Sequence, residues 1–193
     1  MEIAAIGFRA KTGRAIAVVL AGTGKTPTFV WREEVSLADP KFPATAQPYH
    51  EVMEMPWSDA AVAVQPLVDA IEKRASAMLR AIIADMQSRK IHIRAAGVAG
   101  SPPRNIEKLG NFHIRAHAAE GILFRRVLEI AAKENNLHCL AFSDRELVAP
   151  PMMKEIGRMA GSPWRADERL AATAAWMALR GAPSFAGNTR STG

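Results

Sequence analysis

The sequence predicts an α/β domain with three layers, in which a five-stranded mixed sheet (three antiparallel strands, then two parallel ones) carries helices on both faces. Three short apolar runs separated by turn residues open the chain, which is the pattern of an antiparallel meander. Two later apolar runs alternate with long stretches of helical periodicity, which is typical of parallel strands joined by helices. We expect one domain over residues 1–180 and a flexible Gly-, Ser- and Thr-containing tail over residues 181–193.

Composition and charge narrow the class of protein. The chain has neither an apolar window of about 18 residues nor a secretory leader, so we expect a cytoplasmic protein without a membrane partner. The single cysteine, Cys139, lies in an apolar run, which favours a buried thiol in a reducing compartment. The formal net charge of +6 favours an anionic partner, although arginines scattered along helices are also typical of a solvated basic surface.

The first three strands are predicted from apolar runs that contain β-branched residues. Glu2 to Phe8 and Arg14 to Leu20 flank the turn-like residues Ala10 to Gly13, which predicts a hairpin. A second turn, Gly22 to Thr26, leads into a third strand over Thr28 to Val35. Because a strand and not a helix follows this glycine-containing turn, the segment does not match a phosphate-binding loop.

The middle of the chain predicts a loop, a helix and a strand. Several prolines and the lack of a sustained period indicate a long surface loop over residues 35–58. From Pro66 to Lys90 apolar residues recur on one face, which predicts a long amphipathic helix. Ile91 to Ala99 is predicted as the fourth strand, and the prolines in Gly100 to Asn105 indicate a loop that joins it to the next helix.

The last third of the chain continues the alternation of helices and strands. Asn111 is a candidate N-cap for a helix that runs to about Asn135, and Leu137 to Phe142 is predicted as the fifth strand. The apolar residues of the helix between Asn111 and Asn135 recur with helical spacing, so we expect this helix to pack on the sheet.

Two shorter helices complete the predicted fold. Ser143 or Asp144 is expected to cap a short helix, which two prolines interrupt and which resumes over Met152 to Met159. For the last helix we expect Ser162 as the N-cap and Pro163 as the first helical residue. Alanines form one face of this helix, and small side chains allow a helix to lie close on a sheet.

Two motifs resemble a known family. Ile6 to Arg9, with the turn and apolar strand from Thr12 to Val19, is similar to the strand-turn-strand motif of the RuvC and YqgF-type branch of the ribonuclease H-like superfamily. Asp167 to Ala175 resembles the last helix of that branch, in which an acid is followed by alanines. The predicted element order, β-β-β-α-β-α-β-α, is also that of the superfamily. The resemblance covers nearly the whole chain to about Arg180 and implies a ribonuclease H-like fold.

The resemblance also implies where a nuclease site would lie. Nucleases of this superfamily hold two divalent metal ions with three or four carboxylates. Arg9 stands at the position of the family's first-strand aspartate, and the fourth strand ends without the usual glutamate. The remaining candidate catalytic residues are Asp144, Asp167 and Glu168, and the two departures remove ligands that the metal ions need.

Basic residues are predicted at the same edge of the sheet. Because arginine offers paired donors and helix N-termini carry partial positive charge, we expect these residues to form an anion-binding site. The alternative is that they are ordinary loop charges that keep the protein soluble. The candidate anion-binding residues are Arg9, Lys11, Arg14, Arg104 and Arg115.

A third group of candidates lies in the helix after the fourth strand. His113, His117 and Glu120 have i, i+4 and i+7 spacing and therefore share one face, which is compatible with metal ligation. The metalloprotease pattern H-E-x-x-H is absent from this segment, and exposed histidines on a helix are common without a metal.

Three hypotheses about function stay open. The first is a non-catalytic ribonuclease H-like domain that binds nucleic acid or another phosphate-bearing partner through a basic face, for which we expect no cofactor. The second is a divergent metal-dependent nuclease or phosphoesterase of the RuvC-like resolvase class, which would need Mg²⁺ or Mn²⁺. The third is a structural or oligomerising protein, such as a homodimer, whose surface charge is incidental.

Overall fold

The computed structural model describes residues 1–181 and confirms the five-stranded mixed sheet with helices on both faces. The strands are β1 (Glu2–Lys11), β2 (Arg14–Gly22), β3 (Pro27–Ser36), β4 (Ile91–Ala99) and β5 (His138–Phe142). The helices are α1 (Trp57–Ala63), α2 (Gln65–Ser88), α3 (Phe112–Glu134), α4 (Met153–Ala160) and α5 (Ala166–Gly181), with a short 3-10 helix at Pro43–Ala46. The predicted tail after residue 181 lies outside the described residues. Within residues 1–181, no helix combines the length and the apolar character needed to cross a bilayer.

The order of the strands across the sheet is β3-β2-β1-β4-β5. Strands β1, β2 and β3 pair antiparallel, whereas β4 pairs parallel with β1 and β5 pairs parallel with β4. This is the ribonuclease H-like arrangement that the sequence predicts. The parallel strands β1, β4 and β5 therefore end at the same edge of the sheet.

The two faces of the sheet bury different layers. Side chains alternate along β1, so that Ile6 and Phe8 pack with α2 and α3, while the neighbouring residue Ala5 packs with α5. The first layer is rich in Leu, Ile and Phe, and it forms the larger core. The second layer, under α4 and α5, is built largely from alanines.

Two glycines explain how closely α5 approaches the sheet. A Cβ atom on Gly7 would lie 1.9 Å from the carbonyl oxygen of Ala171, and one on Gly97 would lie 2.1 Å from that of Ala174. These distances leave no room for any side chain between the strands and the helix backbone. The predicted close packing of the alanine face is confirmed, and it fixes the position of the N-terminal end of α5 over the edge of β1.

Two of the predicted helix starts are wrong. Ser162 and Pro163 do not begin the last helix, which starts at Ala166. The backbone N–H of Arg165 donates to the Glu168 carboxylate, and the Arg32 side chain donates to the carbonyl of Pro163. A glutamate of the first turn of α5 and an arginine of β3 therefore hold the segment before Ala166.

The short helix predicted after β5 is also absent. The Ser143 N–H donates to Glu146 Oε2 and the Glu146 N–H donates to the Ser143 carbonyl, which closes a single turn. The predicted N-cap of α3 is confirmed, because Asn111 Oδ1 accepts from the N–H of Ile114. In the first hairpin β1 continues to Lys11, so Arg9 and Lys11 belong to a strand and not to the turn.

Candidate functional site

The ends of the parallel strands bring distant charged residues together. Across this edge, Arg9 of β1 pairs with Ala99 of β4, and Ala99 pairs with Phe142 of β5. Asp144 follows two residues after Phe142. Because Arg9 has the same alternation as Gly7, it points to the face that α5 covers, at the end where α5 begins.

Four of these charged residues form one group, which we call the strand-end cluster: Arg9, Lys11, Asp144 and Asp167. The Arg9 guanidinium lies 2.7 Å from Asp144 Oδ2 and 3.7 Å from Asp167 Oδ1, while Lys11 Nζ lies 2.6 Å from Asp167 Oδ2. The Arg9 side chain is only 18% exposed. Two cations thus balance two carboxylates, although Asp144 Oδ1 and Arg9 Nε are buried without a hydrogen-bond partner in the described part of the chain.

The other predicted residues at this edge do not join the cluster. Glu168 accepts from the backbone of Arg165 and so stabilises the start of α5. Arg14 Nε lies 3.3 Å from Glu34 on the neighbouring strand, in an exposed pair. Arg104 is exposed in the loop between β4 and α3. The predicted anion-binding residues are therefore distributed over more than one surface.

Arg115 lies against aromatic rings at the start of α3. Its guanidinium carbon is 4.9 Å from the centre of the Phe112 ring and 5.9 Å from that of Trp57, and Trp57 stacks on Tyr49 at 5.4 Å. Phe112 is 51% exposed. Burial raises the pKa of the Tyr49 phenol, with Arg126 opposing and Glu120 adding to the effect. We call Phe112, Arg115 and Trp57 the aromatic patch.

Three histidines converge on the other side of the same helix. His113 and His117 of α3 meet His50, which lies in the segment between β3 and α1. Their ring centres are 4.4 to 5.1 Å apart, and each pair of rings meets edge to face. One ring nitrogen of each histidine lies within 4.8 Å of the others. We call these three residues the histidine cluster.

Glu120 is placed differently from the sequence expectation. It is fully buried and lies behind His50, with its Oε1 2.8 Å from His50 Nδ1 and 3.3 Å from the His50 backbone nitrogen. It is not one of the three groups whose nitrogens converge. Its second oxygen, Oε2, is buried and has no hydrogen-bond partner among the described residues.

His50 is the residue of this cluster that sequence reasoning missed. The segment around it has no helical or strand period, and the contact with Glu120 spans 70 positions. A lone histidine in a proline-containing loop gives no sign of such a partner. The signal that the sequence did contain was the i, i+4 pair His113 and His117 on one face of a helix.

The strand order β3-β2-β1-β4-β5 and the helices on both faces of the sheet define a ribonuclease H-like α/β fold. No protein-family model matches the chain, and no curated protein matches its sequence. Among solved structures, RuvC of Thermus thermophilus in complex with a Holliday junction substrate is similar to this chain at a TM-score of 0.49 and 12% identity, over 90% of both chains. A second Thermus thermophilus RuvC structure is similar at a TM-score of 0.46 and 15% identity, over 91% of this chain and 92% of that one.

Proposed function

We propose that this protein is a non-catalytic ribonuclease H-like domain that binds nucleic acid or another phosphate-bearing partner at the edge where β1, β4 and β5 end. The observation that carries the proposal is the pairing of Arg9 and Lys11 with Asp144 and Asp167. Asp144 and Asp167 are two of the three acids that remain as candidate metal ligands of a nuclease, and the third, Glu168, accepts from the backbone of Arg165.

The donor set at this edge does not fit two divalent ions. Mg²⁺ and Mn²⁺ need several anionic oxygen ligands, and a guanidinium and an ammonium group already neutralise both carboxylates here. Strand β4 contains no Asp or Glu and ends at Ala99, so it adds no carboxylate to those of Asp144 and Asp167. The charge that two metal ions supply in a nuclease is replaced by fixed side-chain charge.

Groups suited to phosphate and to bases lie in the loop after β4 and at the start of α3. Arg104 is exposed in the loop after β4, and the N-terminal end of α3 follows that loop. Backbone N–H groups at a helix start favour a phosphate group, and the exposed ring of Phe112 beside Arg115 offers a surface on which a base stacks. The net charge of +6 favours association with a polyanion over a neutral ligand.

A titration of fluorescent oligonucleotides tests this function. Single-stranded, duplex and four-way junction DNA and matching RNA are titrated at low and moderate salt, with and without Mg²⁺ or Mn²⁺, and the same samples are run on a denaturing gel. We expect binding that weakens steeply with salt, because bound cations release counterions, and no cleavage under any condition.

Variants locate the binding surface. Arg104→Ala and Arg115→Ala are each expected to weaken binding by about tenfold, as the loss of one or two phosphate or stacking contacts predicts. The matched control is Arg89→Ala, since Arg89 lies before β4 at the opposite edge of the sheet and its side chain is exposed. Metal-dependent cleavage would replace the proposal with the nuclease alternative, and a lack of both binding and cleavage would reject it in favour of a structural role.

A further inference from the structure

None of the residues of the histidine cluster is among those proposed to bind phosphate, and their nitrogens lie close enough together to hold a metal ion. Neutral imidazoles bind first-row transition metals, and His113 and His117 have the i, i+4 spacing that places two ligands on one helix face. His50 adds a third nitrogen from another segment of the chain. Three histidines with an open fourth position form a common ligand set for Zn²⁺.

The distances between the three histidine nitrogens are short enough for small side-chain movements to bring them to one ion. The three ligand nitrogens lie within 4.8 Å of one another. A tetrahedral zinc site with Zn–N bonds of about 2.0 to 2.1 Å requires them to be about 3.3 Å apart. His113 and His117 are both exposed, so rotation about their side-chain bonds is unhindered by the core and supplies this movement.

Glu120 prepares His50 for this role. Glu120 Oε1 lies 2.8 Å from His50 Nδ1 and also accepts from the His50 backbone N–H. In the tautomer in which Nδ1–H donates to this oxygen, Nε2 keeps the lone pair that a metal needs. A carboxylate behind a histidine ligand orients the ring and increases its basicity. Glu120 is therefore a positioning residue for His50 and not itself a ligand.

The burial of the Glu120 side chain is the second, independent observation. This carboxylate is fully buried, and its Oε2 has no hydrogen-bond partner among residues 1–181. Burying an ionised group is costly unless a positive charge lies near it. A divalent cation held by the imidazoles supplies that charge one side chain away.

We propose that His50, His113 and His117 bind one Zn²⁺ ion per chain, with water at the fourth position and Glu120 holding His50 in place. The ion joins the segment between β3 and α1 to the first turns of α3. The site is separate from the carboxylates of the strand-end cluster, and it uses nitrogen ligands instead of oxygen ligands.

Isothermal titration of Zn²⁺ into protein that carries no affinity tag and has been stripped with EDTA tests this proposal. We expect one equivalent to bind, and both His113→Gln and His117→Gln to weaken binding at least 100-fold. His138→Gln is the matched control, because His138 is an exposed histidine at the start of β5 beside the only thiol of the chain. Co²⁺ should give the intense visible absorption of a four-coordinate site in the wild-type protein and in the control, and not in the two cluster variants.

The role of Glu120 has its own readout. Glu120→Gln should keep one equivalent of Zn²⁺ but weaken its binding by about 10- to 100-fold. Hydrogen exchange of the segment around His50 should slow on addition of Zn²⁺ in the wild-type protein. If Glu120→Gln does not fold, the His113→Gln result decides, since that side chain is exposed. Absence of saturable binding, or equal affinity in His113→Gln and the wild-type protein, would overturn the proposal whatever the oligonucleotide titration shows.

Discussion

The strand-end cluster and the histidine cluster differ in how their carboxylates are paired. In the strand-end cluster, Arg9 and Lys11 compensate the two carboxylates. Beside the histidine cluster lies one buried carboxylate, that of Glu120. It contacts only one of the three imidazoles, through a hydrogen bond with His50. The first group is charge-balanced by the chain itself, whereas a cation from solution would balance the second.

This difference indicates that a metal ion fits the histidine cluster better than the strand-end cluster. At the strand ends, Arg9 and Lys11 pair with the carboxylates of Asp144 and Asp167. On the other side of the sheet, three imidazoles, which prefer zinc to magnesium, lie close together, with the buried Glu120 behind one of them. The two clusters lie on different layers, since α5 carries Asp167 and α3 carries His113 and His117. Changes in one layer should therefore leave the other intact.

The largest effect is expected from Gly7→Ala. The new Cβ would lie 1.9 Å from the Ala171 carbonyl oxygen, so α5 must move away from β1. We expect a loss of about 3 kcal/mol in the free energy of unfolding, measured by urea denaturation. The movement also separates Asp167 from Arg9 and Lys11, while Zn²⁺ binding by the histidine cluster should persist in the folded protein.

Gly110→Ala is the control for this substitution, because a Cβ at Gly110 meets no atom within 4 Å. It should change stability by less than about 0.5 kcal/mol. If Gly7→Ala were as stable as Gly110→Ala, α5 would not be seated as closely as described. If it abolished Zn²⁺ binding in a folded protein, the two layers would not be independent.

The second largest effect is expected from Glu120→Ala. The substitution removes a buried carboxylate that accepts from both the side chain and the backbone of His50. Hydrogen bonds to charged groups contribute about 1.5 to 3 kcal/mol, and we expect a loss of about 2 kcal/mol by urea denaturation without metal.

Glu155→Ala gives the matched control, since Glu155 is exposed and pairs with Arg158 one turn away. Its loss should cost less than about 0.5 kcal/mol. Equal stability of the two variants would show that the buried carboxylate does not anchor His50.

Several parts of this comparison could be predicted from the sequence. The alternation of strands and helices, the cap at Asn111 and the shared edge of Arg9, Asp144 and Asp167 all follow from local pattern and strand order. Sequence reasoning assigned the cations to an anion site and the acids to a nuclease site at the same edge. It could not show that the same groups pair with each other, because side-chain pairing depends on how closely α5 approaches β1.

The contact between His50 and Glu120 was beyond prediction for a different reason. Residues 35–58 have no period, so nothing in the sequence fixes which side of the sheet this segment covers. Its path depends on tertiary contacts such as the packing of Tyr49 and Val52 against the larger core. The helix starts after β5 were mispredicted because glutamate side chains, and not the serines, hold the free N–H groups there.

A smaller effect is expected from Arg9→Ala. The substitution removes the cation that pairs with Asp144 and leaves Lys11 as the cation that pairs with Asp167. Because these pairs are partly exposed, we expect a loss of only about 1 kcal/mol by urea denaturation. The freed carboxylates should also make the stability of the variant increase with Mn²⁺, which should have no such effect through this cluster in the wild-type protein.

Arg14→Ala provides the comparison, since Arg14 pairs with Glu34 in an exposed position on the neighbouring strands. It should change stability by less than about 0.5 kcal/mol and confer no response to Mn²⁺. A response to Mn²⁺ at the strand ends of the wild-type protein, equal to that of Arg9→Ala, would mean that the cations do not block metal binding there.

The smallest effect on stability is expected from the ionisation of Cys139, which packs against the larger core. Burial raises the pKa of the Cys139 thiol from 9.0 to about 11, with Glu129 adding to the effect. Because the thiol holds its proton more tightly in the folded state than in the unfolded one, its contribution to stability is complete below pH 9 and is lost as the pH rises towards 11. Urea midpoints of the wild-type protein and Cys139→Ala should thus keep a constant difference up to pH 9, and the wild-type midpoint should then fall relative to the variant. A constant difference in the midpoint up to pH 11 would mean that the Cys139 thiol is open to water on the α3 side of β5.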